Sequence, residues 1–426
     1  MQFWPDFLLF SRNGTTRLAS STTLGRIVKS GNRLRAYAMH QPMPLPIPMR
    51  ALLAAARNKE RALLELTRRL VLAESPSNQK SAVDACVSLA ASEARNRGGR
   101  VKRYTQRRTG DLLEARFGPR SSVGAAKPFL LLGHLDTVWP VGALKTMPCR
   151  VAEGRLWGPG VFDMKAGVAI ALTALEILAE AGALDREIVL LLNSDEEIGS
   201  PVSRLVTERI ASECAAVYVL EPAQGLACKT ARKGAGGWRI DVKGISAHSG
   251  VDFEKGANAI RELAHLVETV SGWTDLKPGL TVSVGVVSGG AKTNVIPAEA
   301  WAEVDVRFTR KADGRRIERR FAALAPRDKR CALVVTGGIN RPPMERTRGT
   351  ARLFAQARAL AAEISLNLEE AATGGVSDGN FTAALGVPTL DGMGAVGEGA
   401  HAPHEHVRIE HLAPRTALLA AMMTIG

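Results

Sequence analysis

Glu196 and Glu197 stand side by side in the run Asn-Ser-Asp-Glu-Glu-Ile-Gly-Ser (193–200), directly after the apolar stretch Ile188 to Leu192. Two adjacent carboxylates are costly to desolvate unless something positive lies beside them. Neighbouring side chains on an extended backbone point in different directions. One carboxylate can then hold a cation while the other faces a water on that cation, the division between ligand and general base that a metal hydrolase requires. Taken alone, such a run is more often a solvated acidic cluster at a strand end.

Four further segments change that balance. Gly133-His134-Leu135-Asp136 closes an apolar run, and on an extended strand His134 and Asp136 share a side, so the carboxylate can orient the imidazole. Gly158-Pro159-Gly160 leads to Asp163, whose two oxygens could bridge two cations. Glu221 ends the run Val-Leu-Glu-Pro, and the downstream stretch Gly-Glu-Gly-Ala-His401 supplies a second imidazole. Nitrogen and oxygen donors without thiolates suit zinc, cobalt or manganese in a water-bearing catalytic site. The remaining histidines are expected in other settings: His40 in the leader, His265 on a helix face, and His404, His406 and His411 at the surface or beside the ligands.

The elements that must position these groups follow from periodicity. Helical spacing from about residue 51 is followed by strands at Arg100 to Tyr104, Leu112 to Phe117 and Phe129 to Leu132. A long apolar helix covers Ala166 to Ala181, then come a strand over Glu187 to Asn193, a helix near Val202 to Ser212 and a strand over Ala216 to Leu220. Near-continuous apolar strands alternating with helices predict an α/β domain, a mostly parallel sheet with helices on both faces and its site at the carboxyl ends of the strands. From about 234 the order becomes β-α-β-β-α-β, predicting an inserted ferredoxin-like α+β domain. The expected division is therefore a catalytic domain at 51–233 and 343–426, interrupted by 234–342.

The 426 residues are 46% apolar and 23% charged, an ordinary globular composition. No run approaches the ~18 uninterrupted apolar residues of a membrane span. Five scattered cysteines without Cys-x-x-Cys spacing predict reduced thiols in the cytoplasm. The net charge of +14 is partly local, because residues 1–50 carry seven Lys/Arg against one Asp. With aromatics at 5% and no basic stripe interleaved with them, nucleic acid is not an expected partner. Residues 1–50 read as a disordered extension, acid-poor as transit peptides are; an over-extended start, with translation from Met43 or Met49, fits equally.

His-Leu-Asp-Thr-Val-Trp-Pro (134–140), Gly-Pro-Gly-Val-Phe-Asp-Met-Lys (158–165) and the Glu196-Glu197 run together resemble the motifs of the co-catalytic di-zinc exopeptidases and deacylases. That family includes acetylornithine deacetylase, succinyl-diaminopimelate desuccinylase and the glutamate carboxypeptidases, and the resemblance is strongest to the last branch. It covers about residues 55–426. It implies two divalent metal ions, zinc above all, with Asp163 bridging, His134 and Glu221 completing one site, and Glu197 and His401 the other. Glu196 would be the general base and Asp136 the partner of His134, and a cis peptide is expected after Asp163. The inserted domain resembles the family's lid and dimerisation domain, implying a homodimer. Within it Ser-Ala-His248-Ser-Gly matches the histidine that reaches the partner subunit's site to stabilise the oxyanion. Asn294 matches a residue contacting substrate, Arg307 the arginine clamping a substrate carboxylate, and Gly375 a pocket-lining glycine loop.

Two departures stand out: His404 where many relatives carry an acid, and Ser249 in place of a commoner alanine. Neither removes a ligand or the base. The expected activity is hydrolysis of the amide bond of an acyl-amino acid or peptide, as a glutamate carboxypeptidase. An N-acyl-amino-acid deacylase or a dipeptidase shares the ligand set, and an inactive metal-binding regulatory protein is the reading from outside the hydrolases.

Overall fold

The computed structural model describes residues 46–120 and 126–425. The expectations for the leader lie mostly outside these residues. The first helix, Met49–Asn58, opens behind Pro48 with Met49 fully buried, two positions earlier than the periodicity indicates.

A six-stranded sheet forms the centre of the catalytic domain. Its order is Arg100–Tyr104, Leu112–Phe117, Ile188–Asn193, Phe129–His134, Ala216–Val219 and Thr389–Leu390. The last four run parallel, and the first two join antiparallel at one edge. Every residue of Phe129–His134 and Ile188–Asn193 is buried, because both faces are covered. Leu131, Leu190 and Leu192 face a large core shared with helices Ala166–Glu180 and Leu412–Thr424. Leu130, Leu132, Val189 and Leu191 face a smaller core against helix Ser203–Glu213. The alternation is the strand's own period of two.

This packing places the chemistry. His134 and Asn193 are register partners at the ends of adjacent parallel strands, and Glu221 lies just beyond the end of the next. All three exits open on one edge of the sheet, as parallel topology dictates.

The inserted domain comprises Gly234–Lys243, Ala259–Ser271, Thr281–Gly289, Glu299–Phe308, Lys311–Ala322 and Ala332–Arg341. Its four strands are antiparallel in the order second, third, first, fourth, the ferredoxin-like arrangement. It has its own core, in which Trp238 stacks on Phe321 with ring centroids 4.4 Å apart.

Several elements depart from the sequence expectation. The last inserted strand, Ala332–Arg341, runs on past the end of its apolar pattern, for which periodicity predicts a strand only over Cys331 to Thr336. Gly337 and Gly338 break the apolar pattern there. Gly337 has φ +112°, and a Cβ on it would lie 2.1 Å from the carbonyl oxygen of Gly237, so only glycine lets the strands approach. A small antiparallel sheet of Gly397–Glu398, His406–Arg408, Arg155–Trp157 and Arg150–Ala152 also went unforeseen, its strands being too short for periodicity. It frames the loop bearing His401.

Candidate metal centre and active site

His134 is buried at its strand end, and its Nδ1 lies 2.9 Å from the backbone carbonyl of Asp136, with that residue's carboxylate at 3.5 Å. The imidazole is thus oriented first by a carbonyl, not by the carboxylate the strand periodicity suggests. The Asp136 carboxylate accepts from Ser77 Oγ at 2.7 Å and from the amides of Glu196 and Glu197 at 3.2 Å each. One fully buried carboxylate therefore ties the His134 strand to the paired glutamates. Glu196–Ile198 form a 3-10 turn, so the turn, rather than an extended backbone, separates the two side chains.

Asp163 is placed by a different acid. Glu405, 1% exposed, accepts from the amides of Gly160, Phe162 and Asp163 at 2.8, 2.9 and 3.0 Å, and from Trp139 Nε1 at 2.8 Å. The sequence reading passed over it for its neighbour His404, which is exposed. His406 is buried and packs against Trp157 at 4.6 Å, away from the surface. The Asp163-Met164 peptide is cis.

The donor atoms converge on Asp163. Its Oδ1 lies 3.3 Å from His134 Nε2, which is 3.7 Å from Glu221 Oε1. Its Oδ2 lies 3.5 Å from His401 Nε2, which is 3.2 Å from Glu197 Oε2. His134 groups with Asp163 and Glu197, and with Glu196 and Glu221, in sets whose donor atoms lie within 4.8 Å of one another. His401 is held at φ +60°, a left-handed backbone that a non-glycine residue adopts at some cost.

Charge in this cluster is unbalanced toward the acids. Burial, against the pull of Arg341, raises Glu196 well above the usual carboxylate range. Burial and the neighbouring Asp163 charge push Glu221 up to about 7. Hydrogen bonds to Asp163 and Glu197 raise His401 to about 10. Burial works against His134, yet Asp136 and Asp163 lift it well above its ordinary value. Glu197 Oε1 is buried with no hydrogen-bond partner. An orphaned carboxylate oxygen among crowded nitrogen and oxygen donors is what a divalent cation would satisfy, so the residues fit a metal.

A cavity of about 590 Å³ adjoins the cluster, with Glu196, Glu197, Glu221 and His401 in its wall. Arg307 and Gly375 also line it; Arg307 pairs with Asp305 at 3.0 Å, and the Gly375 carbonyl accepts from Arg232 at 3.3 Å. His248 and Asn294 do not line it. They sit on two adjacent exposed loops, the Asn294 carbonyl of one accepting from the Ser249 amide of the other at 3.1 Å. Three cationic residues in the wall were not anticipated. Arg341 reaches Glu196 Oε1 at 2.8 Å, Arg232 lies 3.6 Å from Glu221, and Lys229 makes no ion pair among the described residues.

A doubly covered parallel sheet, an inserted ferredoxin-like domain and a strand-end cluster of imidazoles and carboxylates together define the class of metal-dependent hydrolases acting on amide bonds. Residues 130–424 match peptidase family M20/M25/M40, and the chain belongs to that family. It is 29% identical over 384 residues to carboxypeptidase G2 of a Pseudomonas species, covering 87% of this chain and 91% of the relative. It is 32% identical over 321 residues to succinyl-diaminopimelate desuccinylase of Delftia acidovorans, covering 69% and 81%. The fold is similar to that of aminopeptidase PepT from Bacillus cereus, with TM-score 0.72 at 21% identity, covering 86% of this chain and 98% of that one. The protein is accordingly a metal-dependent exopeptidase or deacylase.

Proposed function

We propose that the enzyme releases a C-terminal acidic amino acid, glutamate above all, from an acyl or peptidyl amide. The observation carrying this reading is the unpaired Lys229 in the wall that also holds Arg307 and the acidic cluster. Two cationic groups beside the reacting centre suit a substrate with two carboxylates, one for each. Of the cations lining the cavity, Arg307 is paired with Asp305, whereas Lys229 has no ion-pair partner among the described residues.

His134, Asp163 and Glu221, and Glu197, Asp163 and His401, would hold two divalent ions, zinc by the character of the donors. When bound, the metal supplies Lewis acidity that polarises the scissile carbonyl and makes water a stronger acid. Glu196 takes the proton of the attacking water as its oxygen bonds to the carbonyl carbon. The same carboxyl then delivers that proton to the leaving nitrogen as the C–N bond breaks. Asp136 and Glu405 fix the positions of His134 and Asp163, while Arg307 and Lys229 hold substrate carboxylates.

His248 would serve the oxyanion of a second copy of the chain. Its Nδ1 accepts from the Gly250 amide at 3.1 Å, which leaves the proton on Nε2 as a free donor. A homodimer through the inserted domain is supported by the strand Thr281–Gly289, which pairs along one edge only and exposes Val286 and Val287 at 47% and 59%. Such an edge is a ready site for pairing. No helix among the described residues is long and apolar enough to cross a membrane. The five free cysteines suit a reducing, cytoplasmic setting.

The test is amino acid release by zinc- or cobalt-loaded enzyme from benzoyl- or folyl-glutamate, other acyl-amino acids, N-acetylornithine and dipeptides. Glutamate release alone supports the reading; release from acetylornithine or a dipeptide instead moves the enzyme to the deacylase or dipeptidase alternative. Glu196→Gln should lower kcat on the order of 10²–10⁴-fold with metal content unchanged. Loss of metal in that variant would remove Glu196 from the role of base.

A further inference from the structure

The chain crosses between the two domains twice, at Arg232 to Gly234 and at Arg341 to Pro343. Each crossing carries an arginine with a side chain only 3% exposed. The crossings are bound to each other, Arg232 and Met344 exchanging backbone hydrogen bonds of 3.0 and 3.1 Å. Asn380 Nδ2 donates to both, at 3.0 Å to the Lys233 carbonyl and 2.7 Å to that of Pro342.

The two arginines are held differently. Arg232 forms a fork on Asp391, with both contacts at 2.7 Å, a bidentate pair that saturates one edge of the guanidinium. Arg341 Nη2 faces four oxygens instead: Glu196 Oε1 at 2.8 Å, the Glu196 carbonyl at 3.3 Å, Ser200 Oγ at 2.8 Å and Asp378 Oδ1 at 2.9 Å. That nitrogen carries two protons, so the acceptors compete, while Arg341 Nε is buried without a partner. An over-subscribed donor beside an unused one can exchange acceptors after a small displacement. Arg341 ends the last strand of the inserted domain and precedes two prolines. Their fixed φ makes the crossing a stiff pivot.

We propose that Arg341 is a positioning residue that couples the orientation of the inserted domain to Glu196. Rotation of that domain shifts the guanidinium between the Glu196 carboxylate and the Asp378–Ser200 pair, so Glu196 is set in place at one domain angle only. Arg232, locked on Asp391, is the fixed arm of the hinge, and Arg341 is the moving one. The inference rests on Glu196 being the base.

The experiment uses the full-length, metal-loaded enzyme with spin labels on cysteines placed at the exposed Ser212 and Glu318, one in each domain. Arg341→Met should broaden the inter-label distance distribution and lower kcat about 10²-fold, with metal content unchanged and KM within about threefold. Arg341→Lys, which keeps the charge, should recover part of kcat. Should Arg341→Met not fold, Arg341→Gln, which also removes the charge while keeping a polar end, carries the same expectations. A kcat within about threefold of wild type overturns the proposal. So does a raised KM at unchanged kcat, which makes Arg341 a substrate-binding residue, or a fall in kcat with an unaltered distance distribution. Glu196→Gln in parallel separates the two claims. Its full activity would remove the base assignment, whereas an inactive Glu196→Gln beside a fully active Arg341→Met overturns the coupling alone.

Discussion

The two regions that carry candidate site residues are built in opposite ways. At the carboxyl end of the parallel sheet His134, Asp136 and Glu405 are 2%, 0% and 1% exposed, and Asp136 and Glu405 each accept three or more hydrogen bonds. On the inserted domain, His248 and Asn294 lie on two exposed loops joined by backbone hydrogen bonds, from Ser249 to Asn294 and from Ile296 to Ala247. Buried polar groups must be satisfied, so the acidic cluster is preorganised before anything binds. The exposed loops carry no such obligation. Under the proposed function, the first region is complete within a chain and the second acts across a dimer.

Removing metal tests the preorganised half and should have the largest effect. Dialysis against a chelator should abolish turnover while the far-ultraviolet circular dichroism of the two sheets persists, and zinc or cobalt should restore the rate. Collapse of the fold on chelation would mean that the cluster depends on metal for its shape, ending the contrast between a preformed cluster and the exposed loops.

The exposed half is probed next. His248→Ala should lower kcat about 10²–10³-fold, the usual loss for one oxyanion donor, with metal content unchanged. A mixture of His248→Ala and Glu196→Gln dimers is more informative. After random subunit exchange, half of the dimers are mixed, and each mixed dimer pairs one intact Glu196 with one intact His248 across the interface. Activity should then recover to about a quarter of wild type. No recovery, with exchange verified by mass, would place His248 in its own chain's site or outside catalysis.

The same contrast explains what could be read from the sequence. His134, Asp163, Glu197, Glu221 and His401 were legible because most follow apolar runs whose length and order define strand exits, and parallel topology brings such exits together. Arg341 was hidden, lying after two glycines that interrupt its strand and taking as partner Glu196, 145 positions away. Lys229 and Arg232 belong to a short strand, Cys228–Arg232, paired with Glu370–Thr373, too brief to leave a periodic signal. Glu405 was masked by flanking histidines, which draw attention in any search for ligands. Groups that act by satisfying distant backbone amides leave no local pattern, since their partners are fixed only when the fold forms.

Glu405 also supplies the smallest and most specific expected effect. Its carboxylate holds three consecutive-loop amides around Asp163, so Glu405→Gln keeps size and shape but exchanges one acceptor oxygen for a donor facing N–H groups. Fewer than the four observed hydrogen bonds can then form. The Asp163 loop should lose its fixed position while Asp163 itself stays intact. Outer partners of metal ligands typically contribute 10–100-fold to affinity, and a loss of about that size in zinc affinity is expected here, measured by competition with a chromophoric chelator. At saturating metal, kcat should return close to wild type, because no group touching substrate has changed. An unchanged affinity would show that Asp163 is held well enough by His134 and His401 alone, and that the buried half is less dependent on its outer hydrogen bonds than its geometry indicates.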